Sequence, residues 1–315
     1  MGAIRTRVLP RAERRTEPRQ RQGIKQWLII GAFILPGAII YFLFLILPMI
    51  QAVYYSLFKW NGLGPATDFR GLDNYGLVLN HNIFQLALQH SIVIVVLSLV
   101  IQLPSALLLA IAVGRKLKGR MLFRTIFFLP YVFSEIITAI IWTYVYHKNG
   151  LVNIILGALI PNYQPATLLA DTNTVLFAVF AVITWKYFGL QMILYMAGLQ
   201  QVSEEIEDAA RIDGATEWGV LRYITIPMMG PTIRLTVFLS VLGSLNQFAI
   251  TWVLTNGGPV SASELAATYM YKFGIVRFNL GYGSTVAVIL FVISLIFSVG
   301  YQRTLLRRDY AGRVS

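Results

Sequence analysis

Apolar residues in this chain neither alternate nor recur along one face. They fill whole stretches, and the polar residues gather between them. A helix needs roughly 20 apolar residues to cross a bilayer core. Six stretches meet that length, near 27–50, 86–113, 123–146, 174–197, 235–254 and 284–302. The first sits inside an uncharged run, 26–58. Pro36, Pro104 and Pro130 fall inside or at the edge of spans, where neighbouring helices can satisfy the freed carbonyls. The pattern predicts an all-α, polytopic membrane protein with six transmembrane helices. The polar stretches near 56–84, 147–173 and 255–283 are rich in Gly, Asn and Pro and too short for separate domains. One membrane domain, 26–306, is therefore expected between a tail at 1–25 and a short tail at 307–315.

Composition supports lipid as the solvent. Only 13% of residues are charged, about half the ~25% of a soluble domain. The mean hydropathy is +0.65. Cysteine is absent, which removes disulfides and Cys-ligated metals.

The net charge of +12 raises the question of nucleic acid. The cations lie at the chain ends and in short loops, a distribution that membrane orientation explains better. Arg5, Arg7, Arg11, Arg14, Arg15, Arg19, Arg21 and Lys25 face only Glu13 and Glu17, and Pro10 and Pro18 interrupt any helix, so 1–25 reads as a disordered tail. The apolar run after it is too long for a signal peptide and ends in no small-x-small pattern. With the N-terminus placed inside, 20 Lys and Arg fall on the inner side, 5 on the outer side and Lys186 within a span. Both termini are expected in the cytoplasm.

One inner loop, 199–230, breaks the pattern. Six of the chain's fourteen acids lie there: Glu204, Glu205, Glu207, Asp208, Asp213 and Glu217. Ser203 fits an N-cap, with Glu204 and Glu205 in a first turn whose dipole favours anions. Ile206, Ala209 and Ala210 recur at helical spacing. Gly214 permits a bend, and a second short helix carrying Trp218 and Leu221 ends before Pro227. An amphipathic helix lying on lipid headgroups has the same outline. Its acids oppose that reading, because inner leaflets are anionic.

The spacing Asp208-Ala209-Ala210, Gly214, Ile224, Ile226-Pro227 resembles the coupling loop of ABC importer permeases, with Asp for Glu and Ile for Leu. Asn256-Gly257-Gly258-Pro259 is similar to the Gly-Gly-Pro signature of one of the two permeases in carbohydrate importers. Tyr269, Tyr271, Phe273, Gly281 and Gly283 fit the same subfamily, as do Gly71-Leu72-Asp73-Asn74-Tyr75, Arg124 and Leu129-Pro130. The likeness covers nearly all of the chain after the tail.

It implies a type I importer permease fold in a bacterial or archaeal plasma membrane, carrying a sugar, most often a di- or oligosaccharide. Implied partners are a second, homologous permease, two cytoplasmic ATPase subunits and an extracytoplasmic substrate-binding protein. Glu207, Asp208, Ala209, Ala210, Arg211, Asp213 and Gly214 are then the residues that meet the ATPase.

An ATP-driven machine needs a phosphate loop. The nearest match, from Gly114 through Lys116 to Gly119, continues with Arg120 and Met121 where Lys and then Ser or Thr are required. No cofactor is expected on this chain; ATP and Mg belong on the partner subunits. His81, His90 and His147 lack ligand-pair spacing, so no metal site is expected. No Gly-x-Ser-x-Gly nucleophile motif occurs.

Charges within spans are functional suspects. Glu135 and Lys186 lie about halfway along adjacent spans, a candidate ion pair or part of the path. A sugar presents hydroxyls and flat apolar faces, for which Tyr187, Phe188, Gln191, Asn246, Gln247 and Phe248 are the candidate lining. Polar residues in spans also serve simply to hold helix to helix. The rival class, a stand-alone secondary transporter, would need an ion-coupling site and commonly shows inverted repeats. No convincing repeat is visible, and a membrane-bound enzyme is a more distant alternative.

Overall fold

The structure, a computed structural model, describes residues 19–114 and 119–306. Two units divide the chain at Gln51. In the first, helix α1 (Arg19–Tyr41) passes through a wider turn, Phe42–Ile46, into Leu47–Tyr55. The boundary drawn at residue 25 therefore falls inside a helix, while residues 1–18 lie outside the described residues. From Ile29 the rod is apolar all round, and Trp27, Phe33 and Phe44 are exposed. A helix apolar on every side suits hydrocarbon.

The second unit opens with a two-residue antiparallel pair, β1 (Phe58–Lys59) and β2 (Asp68–Phe69), and helix α2 (Asp73–Leu79). Asn74 donates to the carbonyls of Ser56 (2.9 Å) and Phe58 (3.0 Å), which holds this loop in shape. Four long helical elements then carry the membrane domain: α3 (Asn82–Gly114), α7 (Val175–Leu199), α10 (Gly230–Leu245) and α13 (Leu280–Leu305). Between α3 and α7 come α4 (Arg120–Val132), α5 (Glu135–Val145) and α6 (Leu151–Leu159). Between α7 and α10 lie α8 (Glu204–Ile212) and α9 (Glu217–Met228). The short helices α11 (Ala249–Thr255) and α12 (Ala266–Met270) precede α13. Among the described residues, Ile29–Tyr55, α3, α7 and α13 are each long and apolar enough to cross a membrane, and up to six spans result if each bent pair counts as one.

Two of the six expected spans are broken. The third, read as one helix over 123–146, turns by 100° between α4 and α5. Phe133 and Ser134 are extended there, and Ser134 Oγ caps α5 by accepting from Ile137 N at 3.2 Å. The fifth, read over 235–254, instead runs from Gly230 to Leu245, stops, and resumes at Ala249. Pro231 in the first turn of α10 sets the early start, since a proline there removes only an N–H that has no helical partner.

Helix α7 forms the centre of the core. Its N-terminal half packs Val179, Val182 and Ile183 with Ile94, Ala139, Ile250 and Leu265. Its C-terminal half packs Met192, Tyr195 and Leu199 with Leu103, Ala106 and Ala110 of α3. Lipid gives helices little hydrophobic reason to associate, so close backbone approach through small residues takes over. Gly189 shows it: a Cβ built there would sit 1.8 Å from the Phe127 carbonyl oxygen of α4. Gly189→Leu should therefore prevent α4 from seating on α7, and Gly189→Ala should cost at least the ~1–3 kcal/mol of an overpacked core. Thermal melts of the detergent-purified chain would register both, in that order of severity.

Candidate functional site

Most of the residues singled out in the sequence fall in two places: the loop of α8 and α9, and a cavity among the long helices. Ser203 Oγ accepts from Glu205 N at 3.2 Å and starts α8. Its end is a Schellman termination. Ala215 N bonds Ala210 O at 2.9 Å, Gly214 N bonds Arg211 O at 3.1 Å, and Gly214 holds φ +89°. Thr216 then caps α9 by accepting from Gly219 N at 3.1 Å.

Arg211 fastens the two helices. Its Nη1 lies 2.6 Å from Asp208 Oδ1 and its Nε 2.7 Å from Glu217 Oε1. These bonds, those to Glu217 first, hold the guanidinium above its usual range. Asp208, Ala209, Asp213 and Gly214 are exposed, and Ala210 is half-buried. Glu207 differs from the expectation of an outer contact. It is buried at 2% exposure and accepts from Thr225 Oγ1 at 2.6 Å. The reason is helical phase, since residue 207 shares the inward face that α9 covers. It holds the loop rather than presenting it. Thr225→Val should cost about 1.5–3 kcal/mol, the range for a hydrogen bond to a charged group, and should lower the melting temperature without touching the exposed face.

Of the large apolar groups on the outer surface of this loop, the sequence picks out Trp218 but not Ile212 or Tyr223. Ile212 is 86% exposed, Tyr223 76% and Trp218 67%. Large apolar groups left exposed together mark a contact surface, for another protein or for lipid.

The cavity, of about 340 Å³, lies between α3, α4, α7 and α10. Of the six candidate path residues, Tyr187, Gln191 and Gln247 line it. The other three do not. Phe188, one residue and about 100° further round α7, packs on Phe127 with ring centroids 5.9 Å apart. Asn246 bonds the Leu242 carbonyl at 2.9 Å, and Phe248 stacks with Trp252. Gln102, Ser240 and Ser244 also line the cavity and were not singled out in the sequence.

No ion pair joins Glu135 to Lys186 among the described residues. The Lys186 ammonium donates instead to the carbonyls of Tyr131, at 3.1 Å, and Phe133. Glu135 accepts from the Tyr187 hydroxyl. The break between α4 and α5 explains the change of partner: it frees the last carbonyls of α4, and the ammonium meets them.

The profile described as the binding-protein-dependent transport system inner membrane component matches residues 102–311. The chain belongs to this family. As an inner-membrane transport component it is 32% identical, over 88% of its length and 96% of the relative's, to a probable ABC transporter permease of Bacillus subtilis. It is 30% identical to a lactose transport system permease of Rhizobium radiobacter, over 88% of this chain and 95% of that one. Its fold matches a bacterial alginate ABC transporter solved with an alginate pentasaccharide-bound periplasmic protein. That match has a TM-score of 0.78 at 22% identity and covers 91% of this permease and 96% of that chain.

Proposed function

We propose that this permease forms half of the membrane path of an ATP-driven sugar importer and takes its drive through the 203–227 loop. The observation that carries the reading is a continuous mechanical connection. Arg211 fastens α8 to α9, and α9 leads through a 65° bend into α10, whose Ser240 and Ser244 line the cavity. A push on the exposed face of α8 reaches the cavity wall through one chain of helix. Packed helices switch between discrete arrangements rather than deforming smoothly, so such a push can exchange outward and inward openings.

The partners follow from that role. A second, homologous permease supplies the other half of the path, and two ATPase subunits hold ATP and Mg. An extracytoplasmic binding protein delivers the sugar. The lactose permease and the alginate transporter support a saccharide as cargo. The excess of Lys and Arg on the side of the 199–230 loop supports a cytoplasmic position for that loop and for both termini.

Affinity purification of the tagged permease from its native membrane, with mass spectrometry of what accompanies it, tests the assembly. A P-loop ATPase and a second permease are the expected companions. A chain that reproducibly purifies alone in gentle detergent would favour a secondary transporter, and uptake driven by an ion gradient without ATP would confirm that rival.

A further inference from the structure

We propose that the short helix α6 is an interfacial anchor, which lays an apolar stripe into the hydrocarbon edge of the leaflet remote from the α8–α9 loop. The inference depends on the chain crossing a membrane and not on what it carries.

Leu151, Ile154, Ile155, Ala158 and Leu159 follow the i, i+3, i+4, i+7, i+8 spacing of one helix face. In a loop surrounded by water that face would turn inward. Here every member is exposed, Leu159 at 73% and Ile154 at 61%. The inward faces are already occupied. Val152 packs against the core cluster that holds Val179 and Ile183. Asn153 is buried and ties α6 to the chain that returns from it. Its Nδ2 donates to the carbonyls of His147 at 3.1 Å and Ala166 at 3.0 Å. Its Oδ1 accepts from the Tyr163 hydroxyl at 2.6 Å and from Ala166 N at 2.9 Å. Rolling the stripe inward would break these bonds.

The helix also sits at the right depth. A Cβ built on Gly150 would lie 2.3 Å from the Tyr144 carbonyl oxygen, so the chain turns tightly off the end of α5. The Tyr146 hydroxyl donates to the Ala178 carbonyl at 3.1 Å. That bond levels the end of α5 with the first turn of α7, which begins at Val175. Trp142, Tyr144 and Tyr146 gather at this end, and such amphipathic aromatics are enriched at headgroup level.

Three observations favour lipid over protein as the cover. The stripe is wholly aliphatic, whereas protein contacts concentrate their energy in Trp, Tyr and Arg. No charged residue occurs from Asn149 to Ala170, so the stripe lacks the flanking charges that steer a protein partner. The surface also continues that of α5, which exposes Ile136, Ile140 and Ile141. Interfacial helices ordinarily turn a cationic face to water. Helix α6 needs none, because its other faces meet protein.

The test uses the complete importer in proteoliposomes, assembled with cysteine-free partners. The permease has no cysteine of its own, so one nitroxide can be placed in turn at Leu151→Cys, Ile154→Cys, Ile155→Cys and Leu159→Cys. Power-saturation electron paramagnetic resonance compares collisions with oxygen, which concentrates in hydrocarbon, and with a nickel chelate, which stays in water. Oxygen collisions should exceed nickel collisions at all four positions. The order should reverse at Thr67→Cys, on the exposed loop between β1 and β2, and Val152→Cys should meet little of either reagent. Nickel collisions in excess along the stripe would place it in water and overturn the inference. Exclusion of both reagents from the stripe, with an immobilised label, would show a protein cover and overturn it equally.

Discussion

Gly214→Pro should abolish ATP-driven uptake while the permease still reaches the membrane and still binds its second permease. The reason is backbone conformation alone. Gly214 holds φ +89°, and a Cβ built there would meet nothing within 4 Å. Proline locks φ near −65°, so the Schellman bonds of Ala215 and Gly214 to α8 cannot form. Helix α8 then loses its fixed angle to α9, and its exposed face no longer moves as one body with the cavity wall.

A graded series isolates the cause. Asn tolerates the left-handed region and should retain most uptake. Ala should lose about 1–2 kcal/mol of loop stability, the usual cost of that conformation, and should fall between Asn and Pro. Uptake rates in proteoliposomes, normalised to permease content, give the order. Equal rates for Asn, Ala and Pro variants would mean that the angle at Gly214 does not matter.

Lys186→Met should be the most damaging single change inside the membrane domain. Lys186 is 4% exposed, and its ammonium serves two carbonyls at the end of α4. Removing it leaves those part-buried oxygens without their donor, about 1–3 kcal/mol each, and loosens α4 from α7. The permease should lose thermal stability and yield.

The exchange Glu135→Lys with Lys186→Glu should not restore it. A simple ion pair would survive the swap, but the partners of Lys186 are backbone carbonyls that no side-chain exchange moves, and a glutamate there would face them as a second acceptor. Melting curves and uptake for both single variants and the double variant decide it. Recovery in the double variant would establish a direct pair and refute the capping role.

The same contrast explains what the sequence revealed and what it hid. Continuous apolar runs announce spans by length, so the membrane class and approximate span positions were legible. The Ala-Ala-x-x-x-Gly spacing is also legible, because a glycine four residues past a helical alanine is what a Schellman end requires.

The breaks were not. Pro130 resembles any proline tolerated in a membrane helix, and nothing in Phe133-Ser134 signals a 100° turn until the cap from Ser134 to Ile137 is seen. Without the break, Lys186 and Glu135 look like partners, because carbonyl oxygens have no letter in a sequence. Helical phase set the other misses. Phe188 and Glu207 sit among plausible site residues, but each turns into packing one step around its helix. Asn246 and Phe248 lie where the fifth span stops, and their side chains serve the ends of α10 and α11.

The central claim is that the exposed face of α8 meets an ATPase. The permease has no cysteine, so a single Ala209→Cys variant can carry a thiol-attached photocrosslinker at one known point. Irradiation of the assembled importer, followed by mass spectrometry of the adduct, should join Ala209→Cys to an ATPase subunit. Thr67→Cys, on the loop between β1 and β2, should give no ATPase adduct. Reproducible crosslinking of Ala209→Cys to lipid alone, with the ATPase present and the complex intact, would contradict the account and place α8 on the membrane surface.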